Sequence, residues 1–355
     1  MKVLITGICG FVGRALALEL PALCEGLEIL GLDNLSRPGS EHNRRLVQRE
    51  NCRFFHGDIR IASDLENVPR VDWVIDAAAN PSVLAGLGPG TSSRQVMEHN
   101  LLGTVNLLEF CKRHGTGLVL LSTSRVYSLR RLCSLPVQER NGAFTPNYAK
   151  IEEAGISDKG VSEDFSTEPP LSLYGSAKLA SEILSLEYGS AFDLPVFINR
   201  CGVMAGAGQF GKADQGIFSF WIHAYRTRRP LRYLGFRGTG HQVRDCLHPR
   251  DLACLVAKQL KAPDKSGTIV NVSGGSASGI SLSQLSDWCA QRFKPHSVSA
   301  EAEERPFDVP WLVLDSSKAA KQWDWQPMIK RESILEEIAK HAEANPDWLE
   351  LSSGT

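Results

Sequence analysis

The 355-residue sequence lacks any apolar run long enough to cross a bilayer, and the strand-like KVLIT begins at residue 2, which leaves no charged-then-apolar leader. It also lacks an excess of charge, since 39 Lys and Arg residues face 40 Asp and Glu residues. A formal net charge of −1 provides no global positive field to attract nucleic acid or an anionic membrane. These absences predict a cytoplasmic protein with neither partner, in which local groups bind any anionic ligand.

Closely spaced cysteine pairs are absent as well. The nine cysteines show no CxxC pair and mostly lie in apolar contexts such as LEFCKRHG. This pattern favours buried thiols over disulfides or a metal site, and we expect no metal.

Short apolar runs alternate with longer helical patterns. The runs are nearly continuous in apolarity, which suits parallel strands that are covered on both faces. Residues 94–114 show helical spacing and end at Gly115, a residue typical of helix caps. This alternation predicts an α/β fold with a doubly wound parallel sheet. The predicted strands lie at 2–6, 27–33, 52–58, 72–78, 118–123 and 195–200.

The second half of the chain is less regular. It contains a further strand at 267–275 and a helix at 281–293, where Ser281 and Gln284 have the spacing of a capping box. Between the fifth and sixth strands, residues 128–173 show turn patterns and no long apolar period. A segment of this length in a compact domain is usually functional or locally disordered.

Three glycines follow the first strand in ITGICGFVG. Gly7, Gly10 and Gly13 allow a tight turn, close approach of a pyrophosphate to backbone N–H groups, and close packing of the next helix. Asp33 lies 20 residues beyond Gly13, where a carboxylate can accept the ribose hydroxyls of an adenosine. It would repel a 2′-phosphate, so NAD is favoured over NADP, although Arg37 could partly offset that repulsion. The alternative is that Asp33 only forms a turn.

The G-x-x-G-x-x-G spacing, Asp33, STSRVY at 122–127 and YGSAK at 174–178 together resemble the extended short-chain dehydrogenase/reductase family. The resemblance implies a Rossmann-type sheet with a smaller mixed α/β substrate domain. Asn100 has a second interpretation, as a polar helix residue that bridges to a neighbouring strand. The cofactor contacts implied are Gly7, Gly10, Phe11, Val12, Gly13, Asp33, Asn34, Asp58, Ile59, Ala77, Ala78, Ala79, Asn100, Tyr174 and Lys178.

Tyr174, Lys178 and Thr123 are the catalytic residues that the resemblance implies. Tyr174 and Lys178 are spaced i, i+4, so both project from one helical face. A free phenol has a pKa of about 10, and a nearby ammonium and a cationic nicotinamide would favour its ionised form. Tyr174 can then take a proton from a sugar hydroxyl, with Thr123 hydrogen-bonded to the same oxygen.

The residues after Thr123 are informative because of what they lack. Sugar-nucleotide dehydratases of the family carry an Asp-Glu pair there, since elimination of water needs an acid and a base beside the sugar. This chain has Ser124 and Arg125. Dehydration is therefore disfavoured, and reversible oxidation or epimerisation remains.

Segments 33–43, 199–224 and 238–253 resemble the CDP-paratose/CDP-tyvelose 2-epimerase branch, with two departures: the usual Tyr-Gly pair is missing after Met204, and Ser128 replaces a glycine. The resemblance implies that Arg244 and Arg305 clamp a nucleotide diphosphate. Arg244 could instead pair with Asp245, and Arg305 could form a surface ion pair. The implied substrate contacts are Ser124, Met204, Gln209, Phe210, Gln215, Gly216, Arg244 and Arg305.

The resemblance to this branch implies an NAD-dependent epimerase of a nucleotide-diphosphate sugar, acting at C2 of a CDP-3,6-dideoxyhexose through a transient keto sugar. A UDP-sugar 4-epimerase and a nucleotide-sugar dehydrogenase or reductase are the alternatives; a sensor or scaffold is disfavoured because Tyr174 and Lys178 are both present. We expect a homo-oligomer, dimer or tetramer. The NAD-binding domain is predicted at 1–200 plus about 240–272, and the substrate domain at about 201–239 plus 273–345.

Overall fold

The apolar runs form strands in a computed structural model that describes residues 1–49, 52–88, 91–301 and 303–353. Each of the seven predicted strands is present within three residues of its predicted bounds. The strands of the described residues are β1 (Lys2–Thr6), β2 (Glu28–Asp33), β3 (Arg53–His56), β4 (Trp73–Asp76), β5 (Gly117–Thr123), β6 (Val137–Arg140), β7 (Ala143–Pro146), β8 (Ile156–Ser157), β9 (Gly160–Val161), β10 (Val196–Cys201), β11 (Val203–Met204), β12 (Leu231–Tyr233), β13 (Val243–Arg244), β14 (Cys246–Leu247), β15 (Thr268–Val272), β16 (Ile280–Ser281), β17 (Val298–Ala300) and β18 (Trp311–Leu312).

The helices connect these strands and cover both faces of the main sheet. In the described residues they are α1 (Phe11–Leu23), α2 (Ser40–Arg49), α3 (Ala62–Glu66), α4 (Ser93–Met97), α5 (Gly103–His114), α6 (Leu129–Cys133), α7 (Leu173–Phe192), α8 (Ile217–Arg226), α9 (Pro249–Leu260), α10 (Leu282–Arg292), α11 (Ser317–Trp323), α12 (Arg331–Ala344) and α13 (Trp348–Ser353).

The main sheet has the order β15-β10-β5-β4-β1-β2-β3, and all of its pairs are parallel. Side chains of β1 alternate between two cores. Val3 and Ile5 pack with α1 and α9, whereas Leu4 packs with Leu107 of α5 on the opposite face. The prediction of a doubly wound parallel sheet is thus confirmed. From β1 the chain first adds β2 and β3 on one side of the sheet and then returns to add β4 on the other side, so the order of the strands reverses between β1 and β4. Ligands are therefore expected at the carboxyl ends of these two strands.

The helix predicted at 94–114 is interrupted. It begins as α4, passes through a π-helical turn at Glu98–Leu102 and continues as α5. Gly115 ends it with a φ of +63°, as expected for a glycine cap. The π turn lies at Asn100, whose side chain bonds the loop after β4.

A separate core lies under the second half of the chain. Trp221 and Ile222 of α8 pack with Leu285 of α10 and Ile334 of α12. The predicted capping box is present, because Ser281 Oγ accepts from the Gln284 N–H at 3.0 Å and Gln284 Oε1 accepts from the Ser281 N–H at 3.1 Å. The division of the chain into two domains stays a prediction.

Residues 128–173 are folded rather than structureless. They form α6 and two hairpins, β6 with β7 and β8 with β9. Phe165 and Val161 are buried against Val313 and Leu314. Val161 also exchanges backbone hydrogen bonds of 2.8 Å with Val313 and Asp315, so the segment is fastened to the chain that follows Trp311.

All nine cysteines are free thiols. Seven are buried and Cys254 is half-buried, as the sequence predicts, but Cys133 is exposed at the end of α6. No helix in the described ranges is both long enough and apolar enough to span a membrane.

Candidate active site

A cavity of about 590 Å³ lies at the carboxyl ends of the main strands. It is lined by every predicted site residue except Asn100 and Lys178. Its floor therefore brings together the ends of β1, β2, β4 and β5, which the chain separates by up to about a hundred residues. The predicted residues along it are Gly7, Gly10, Phe11, Val12, Gly13, Asp33, Asn34, Asp58, Ile59, Ala77, Ala78, Ala79, Thr123, Ser124, Tyr174, Met204, Gln209, Phe210, Gln215, Gly216, Arg244 and Arg305.

The glycine turn forms a tight cradle at one end of the cavity. Gly7 has a φ of +61°, and a Cβ there would lie 2.8 Å from Ala78 Cα. A Cβ on Gly13 would lie 2.2 Å from the Gly7 carbonyl oxygen. Gly10 caps α1 without any side-chain hydrogen bond, which leaves the first amides of the helix to a ligand. This geometry fits a pyrophosphate at the positive end of α1.

Asp33 ends β2 with its carboxylate held by backbone N–H groups. Oδ2 accepts from Cys9 at 2.9 Å and Oδ1 accepts from Leu35 at 2.8 Å. Burial raises the pKa of the Asp33 carboxyl, and these two hydrogen bonds oppose that shift. The bond to Leu35 is the turn that the alternative interpretation expects. Asp33 also lines the cavity, so the turn does not exclude a contact between its carboxylate and a ligand.

Arg37, which the sequence offers as a cation near Asp33, forms its hydrogen bonds with other residues. Its Nη2 donates to the Phe210 carbonyl oxygen at 3.0 Å, and its Nη1 donates to the Gln215 side chain. The guanidinium is therefore engaged by the loop before α8.

Asp58 also belongs to the cofactor end. It is largely buried, which opposes ionisation, but Arg60 and Asn34 donate hydrogen bonds to its carboxylate and hold its pKa well below the usual range. Arg60 Nη2 lies 2.6 Å and Asn34 Nδ2 lies 2.9 Å from Asp58 Oδ2. Asp58 is thus an ionised acceptor that fixes the wall of the cavity.

Asn100 lies away from the cavity lining. Its Oδ1 accepts from the Asn80 N–H at 2.9 Å and its Nδ2 donates to the Asn80 carbonyl at 3.1 Å. The side chain is 1% exposed. This geometry favours the structural interpretation, in which Asn100 positions the loop after β4.

Tyr174 and Thr123 meet where α7 begins beside the end of β5. Both line the cavity, and Thr123 is close enough to favour ionisation of the Tyr174 phenol. Ser172 caps α7 by accepting from the Gly175 N–H at 3.0 Å. A Cβ on Gly175 would lie 2.2 Å from the Arg125 carbonyl oxygen, so a glycine is needed for the helix to approach the turn after Thr123.

Burial raises the pKa of Tyr174 to about 12, while Thr123 and the Arg125 guanidinium favour ionisation. Sequence reasoning assigned the nearby cation to Lys178 and missed Arg125. Arg125 lines the cavity and donates to the Phe307 carbonyl at 3.3 Å. Its position directly after the Ser/Thr motif was the available indication.

Lys178 lies one turn deeper than Tyr174 and is 2% exposed. Burial lowers the pKa of its ammonium, and the charges of Asp76 and Glu182 oppose that shift. Asp76 ends β4 and accepts hydrogen bonds from Thr6 at 2.8 Å and Thr104 at 3.2 Å. Sequence reasoning missed Asp76, although a carboxylate at the end of an otherwise apolar strand is visible in the sequence.

Glu182 continues the same face of α7 and forms a buried ion pair. Arg200 Nη2 donates to Glu182 Oε2 at 2.7 Å, and the two side chains are 6% and 1% exposed. Ser122 Oγ also donates to Glu182. Through Ser122, this pair ties α7 to the strand that carries Thr123, so it positions both catalytic candidates.

The substrate end is lined by charged side chains. Arg244 Nη2 donates to Asp308 Oδ1 at 2.7 Å. Asp245 does not pair with Arg244 through a hydrogen bond; it accepts from Ser273 and from the Leu314 N–H at 2.8 Å. Arg305 lines the same end of the cavity. The three guanidinium groups of Arg125, Arg244 and Arg305 lie close enough to repel one another, and the carboxylates of Asp308 and Asp245 offset only part of their charge, which leaves positive charge for an anionic ligand.

The loop before α8 completes the cavity. Gln209 Nε2 donates to the Met204 carbonyl at 2.7 Å, whereas its buried Oε1 has no hydrogen-bond partner among the described residues. Phe210 stacks on Trp348 with ring centroids 5.4 Å apart. Gly216 begins α8 with a φ of +66°.

Residues 3–273 match the NAD dependent epimerase/dehydratase family. The chain belongs to this family. It is therefore an enzyme whose cofactor is NAD, and the cradle, Asp33 and the Tyr174 pair fit that cofactor. When bound, NAD supplies a reversible hydride acceptor.

Two curated relatives match nearly the whole chain. A CDP-paratose 2-epimerase of Salmonella typhi is 30% identical over 354 residues, which cover 95% of this chain and 98% of the relative. A UDP-glucuronate 4-epimerase of Thermodesulfobacterium geofontis is 27% identical and covers 96% of each chain.

The fold also matches a solved structure of a UDP-glucuronic acid 4-epimerase from Bacillus cereus in complex with UDP-glucuronic acid and NAD. The TM-score is 0.77 at 23% identity, over 97% of this chain and 99% of that one. At this identity the likeness shows the fold alone. With the family match, it confirms the predicted Rossmann-type fold and the predicted resemblance.

Proposed function

We propose that the protein is a nucleotide-sugar epimerase that retains NAD and inverts C2 of a CDP-3,6-dideoxyhexose through a transient keto sugar. The observation that carries the proposal is that Tyr174 and Thr123 line one cavity, where Thr123 favours ionisation of the phenol and is followed in the chain by Ser124 and Arg125. A base for a sugar hydroxyl is present there, but the turn supplies no carboxylic acid for expulsion of water. The near full-length similarity to a CDP-paratose 2-epimerase supports the choice of sugar.

Tyr174 Oη would take the proton from the hydroxyl of the carbon that is oxidised and return it in the second half-reaction. Because burial opposes ionisation of the phenol, Thr123 and the Arg125 charge are the chain's own means of favouring the phenolate. Lys178 adds a buried positive charge one helical turn away. The keto sugar would turn within the cavity while Arg244 and Arg305 hold the diphosphate.

A UDP-sugar 4-epimerase is the second candidate. Arg125 favours it, because its guanidinium lines the cavity beside Tyr174 and donates to a carbonyl oxygen rather than to a carboxylate in the described residues. A cation at that point suits a sugar that carries a carboxylate. The name of the related UDP-glucuronate 4-epimerase describes a substrate of this kind.

A panel of CDP-, UDP-, GDP- and dTDP-sugars tests both candidates by product analysis. The proposal expects inversion at C2 of a CDP-sugar, NAD in the supernatant of the denatured protein, and no solvent deuterium at the inverted carbon. Obligatory deuterium incorporation would contradict oxidation and reduction by a retained cofactor. Net consumption of added NAD or NADH would instead identify a dehydrogenase or reductase.

A homo-oligomer, dimer or tetramer, is part of this proposal. Leu102, Ile183 and Phe192 are 44%, 56% and 42% exposed on the side of the sheet covered by α5 and α7. Contiguous apolar patches mark surfaces that bind partners, and these three side chains lie on α7 and on the π turn that packs against it. Sedimentation of the wild type and of Ile183→Glu would measure the assembly, and a monomeric wild type would contradict it.

A further inference from the structure

Three loops at the carboxyl ends of the sheet are tied to one another across the cavity. They are residues 34–39 after β2, residues 80–88 after β4, and residues 209–216 before α8. We call the last segment the strap. The strap, Arg37, Gly10 and Asp33 line the same cavity, so the strap and the cofactor floor face a common space.

The first tie runs from Arg37 to the strap. The guanidinium donates to the Phe210 carbonyl oxygen at 3.0 Å and to the Gln215 side chain. Burial lowers the pKa of Arg37, and the charge of Asp214 opposes this shift. Hydrogen bonds from a charged donor are stronger than neutral ones, so this tie is a substantial part of what holds the strap.

The second tie runs from Ser82 to Asp214, the neighbour of Gln215 in the same turn. Ser82 Oγ donates to Asp214 Oδ2 at 2.6 Å, and Ser82 is 5% exposed. Between the two ties, Lys212 and Gln215 exchange backbone hydrogen bonds of 2.7 and 3.1 Å. The strap therefore ends in a closed turn that is bonded to the loops after both β2 and β4.

The strap is also anchored behind the cavity. Phe210 stacks on Trp348, and Trp348 Nε1 donates to the Gln209 carbonyl at 2.8 Å. A Cβ on Gly39 would lie 2.5 Å from the Phe210 ring, so the loop after β2 packs directly on the strap. The rear of the strap is thus held by aromatic packing, and the ties at Arg37 and Ser82 hold its front.

We propose that the strap retains NAD: the contacts of Arg37 with Phe210 and Gln215 and of Ser82 with Asp214 must break before the cofactor can leave its cradle. The loops after β2 and β4 flank the glycine cradle, and the strap spans from one to the other. NAD that lies along the cavity floor is enclosed between them. Dissociation of the cofactor then includes the free energy of opening both ties.

The consequence for catalysis rests on the proposed function. An epimerase must use the same hydride twice, so loss of reduced cofactor between the two half-reactions would release a keto sugar and stall the enzyme. The strap lowers the rate at which reduced cofactor is lost between the two half-reactions. The retention itself is measurable without substrate, which separates this inference from the identity of the sugar.

Exchange of bound NAD for isotopically labelled NAD in the purified holoenzyme tests the strap. Arg37→Gln removes two charge-assisted hydrogen bonds, and we expect exchange about tenfold faster or more. Ser82→Ala should also accelerate exchange about tenfold, since it removes a short hydrogen bond to the Asp214 carboxylate. Ser82 does not line the cavity, but its Oγ also accepts from the Leu84 N–H at 3.2 Å within its own loop. Asp214→Asn leaves that bond in place, so faster exchange in Asp214→Asn as well assigns the effect to the strap. Because both ties hold one turn, the double variant should exchange more slowly than the product of the single effects predicts.

Arg45→Gln is the matched control, since Arg45 is an exposed arginine of α2 and the substitution makes the same change of charge. Its exchange rate should equal that of the wild type. Exchange within about twofold of wild type in both Arg37→Gln and Ser82→Ala would overturn the proposal. Should Arg37→Gln fail to fold, Ser82→Ala and Asp214→Asn decide the question. If these variants exchange NAD quickly but the wild type epimerises no sugar of the panel, the proposal for the strap stands and the proposed function is overturned.

Discussion

The cofactor end and the substrate end of the cavity are built from different materials. At the cofactor end, Gly7, Gly10 and Gly13 expose backbone, and the decisive property is the absence of a Cβ. At the substrate end, the guanidinium groups of Arg125, Arg244 and Arg305 lie close together, with Asp308 beside the first two, and the decisive property is charge. A backbone cradle is visible in the sequence as spacing, whereas a cluster of charges from distant segments is not.

Tyr174 joins the two ends, so its substitution should have the largest effect. We expect Tyr174→Phe to lower kcat by about 10²- to 10⁴-fold, because proton transfer loses its acceptor. NAD content and the affinity for a nucleoside diphosphate should stay unchanged, which calorimetry measures. Tyr188→Phe is the control on the same helix, since its hydroxyl donates to Glu109 at 2.6 Å on the exposed side. Loss of NAD from Tyr174→Phe would show that the two ends are not separable.

Gly7→Ala should impair the binding of NAD at the cofactor end and leave the substrate end unchanged. The new Cβ would lie 2.8 Å from Ala78 Cα, at a φ that alanine rarely adopts. We expect the protein to lose most of its NAD and at least about 1 kcal/mol of unfolding free energy. Gly26→Ala is the matched control, because Gly26 has a φ of +67° and nothing within 4 Å. Equal NAD content in the two variants would mean that close approach at Gly7 does not matter.

Arg244→Gln should weaken the binding of substrate and leave the cofactor end unchanged. It removes a guanidinium fork while Asp308 keeps the hydrogen bond from Gln242 at 3.0 Å. We expect KM to rise about 10- to 100-fold with unchanged NAD exchange, because a charge-assisted bond to the substrate is lost. Initial-rate kinetics measure this, with Arg305→Gln alongside. A lower melting temperature with the same KM would make Arg244 a structural partner of Asp308 instead.

Acid should destabilise the substrate side through a buried histidine pair. Burial lowers the pKa of His223 to about 3 and that of His341 to about 4, and their rings are hydrogen-bonded at 3.2 Å. An unfolded histidine titrates near 6.5, so between pH 6.5 and 4 the unfolded state binds protons that the folded state does not. The free energy of unfolding therefore decreases as the pH is lowered through this range, by up to about 1.4 kcal/mol for each pH unit and each histidine.

Urea unfolding at pH 7 and pH 5 measures this loss, and Trp348 reports it locally because its ring centroid lies 4.6 Å from that of His341. His223→Gln should reduce the pH dependence, whereas exposed His56→Gln should not change it. An identical slope in the wild type and His223→Gln would contradict the assignment.

Much of the cofactor end could be predicted from the sequence, because its elements are local. The strand before the glycines, the helix after them and Asp33 all lie within 33 residues. Parallel pairing then places Thr6 beside both Leu32 and Asp76, so the strand ends converge without further information. The capping box of α10 is local for the same reason. The π turn at Glu98–Leu102 was missed because Asn100 is held there by Asn80, a tertiary contact.

By itself, the sequence determined the doubly wound sheet, the cradle and the spacing of Tyr174 and Lys178, since each follows from backbone geometry over a few turns or one strand. Only the tertiary structure decided that Arg125 faces Tyr174, that Arg244 pairs with Asp308, and that Arg37 turns from Asp33 to the strap. Long charged side chains can reach several partners. Which partner they reach depends on burial and on segments that meet only after the chain has folded.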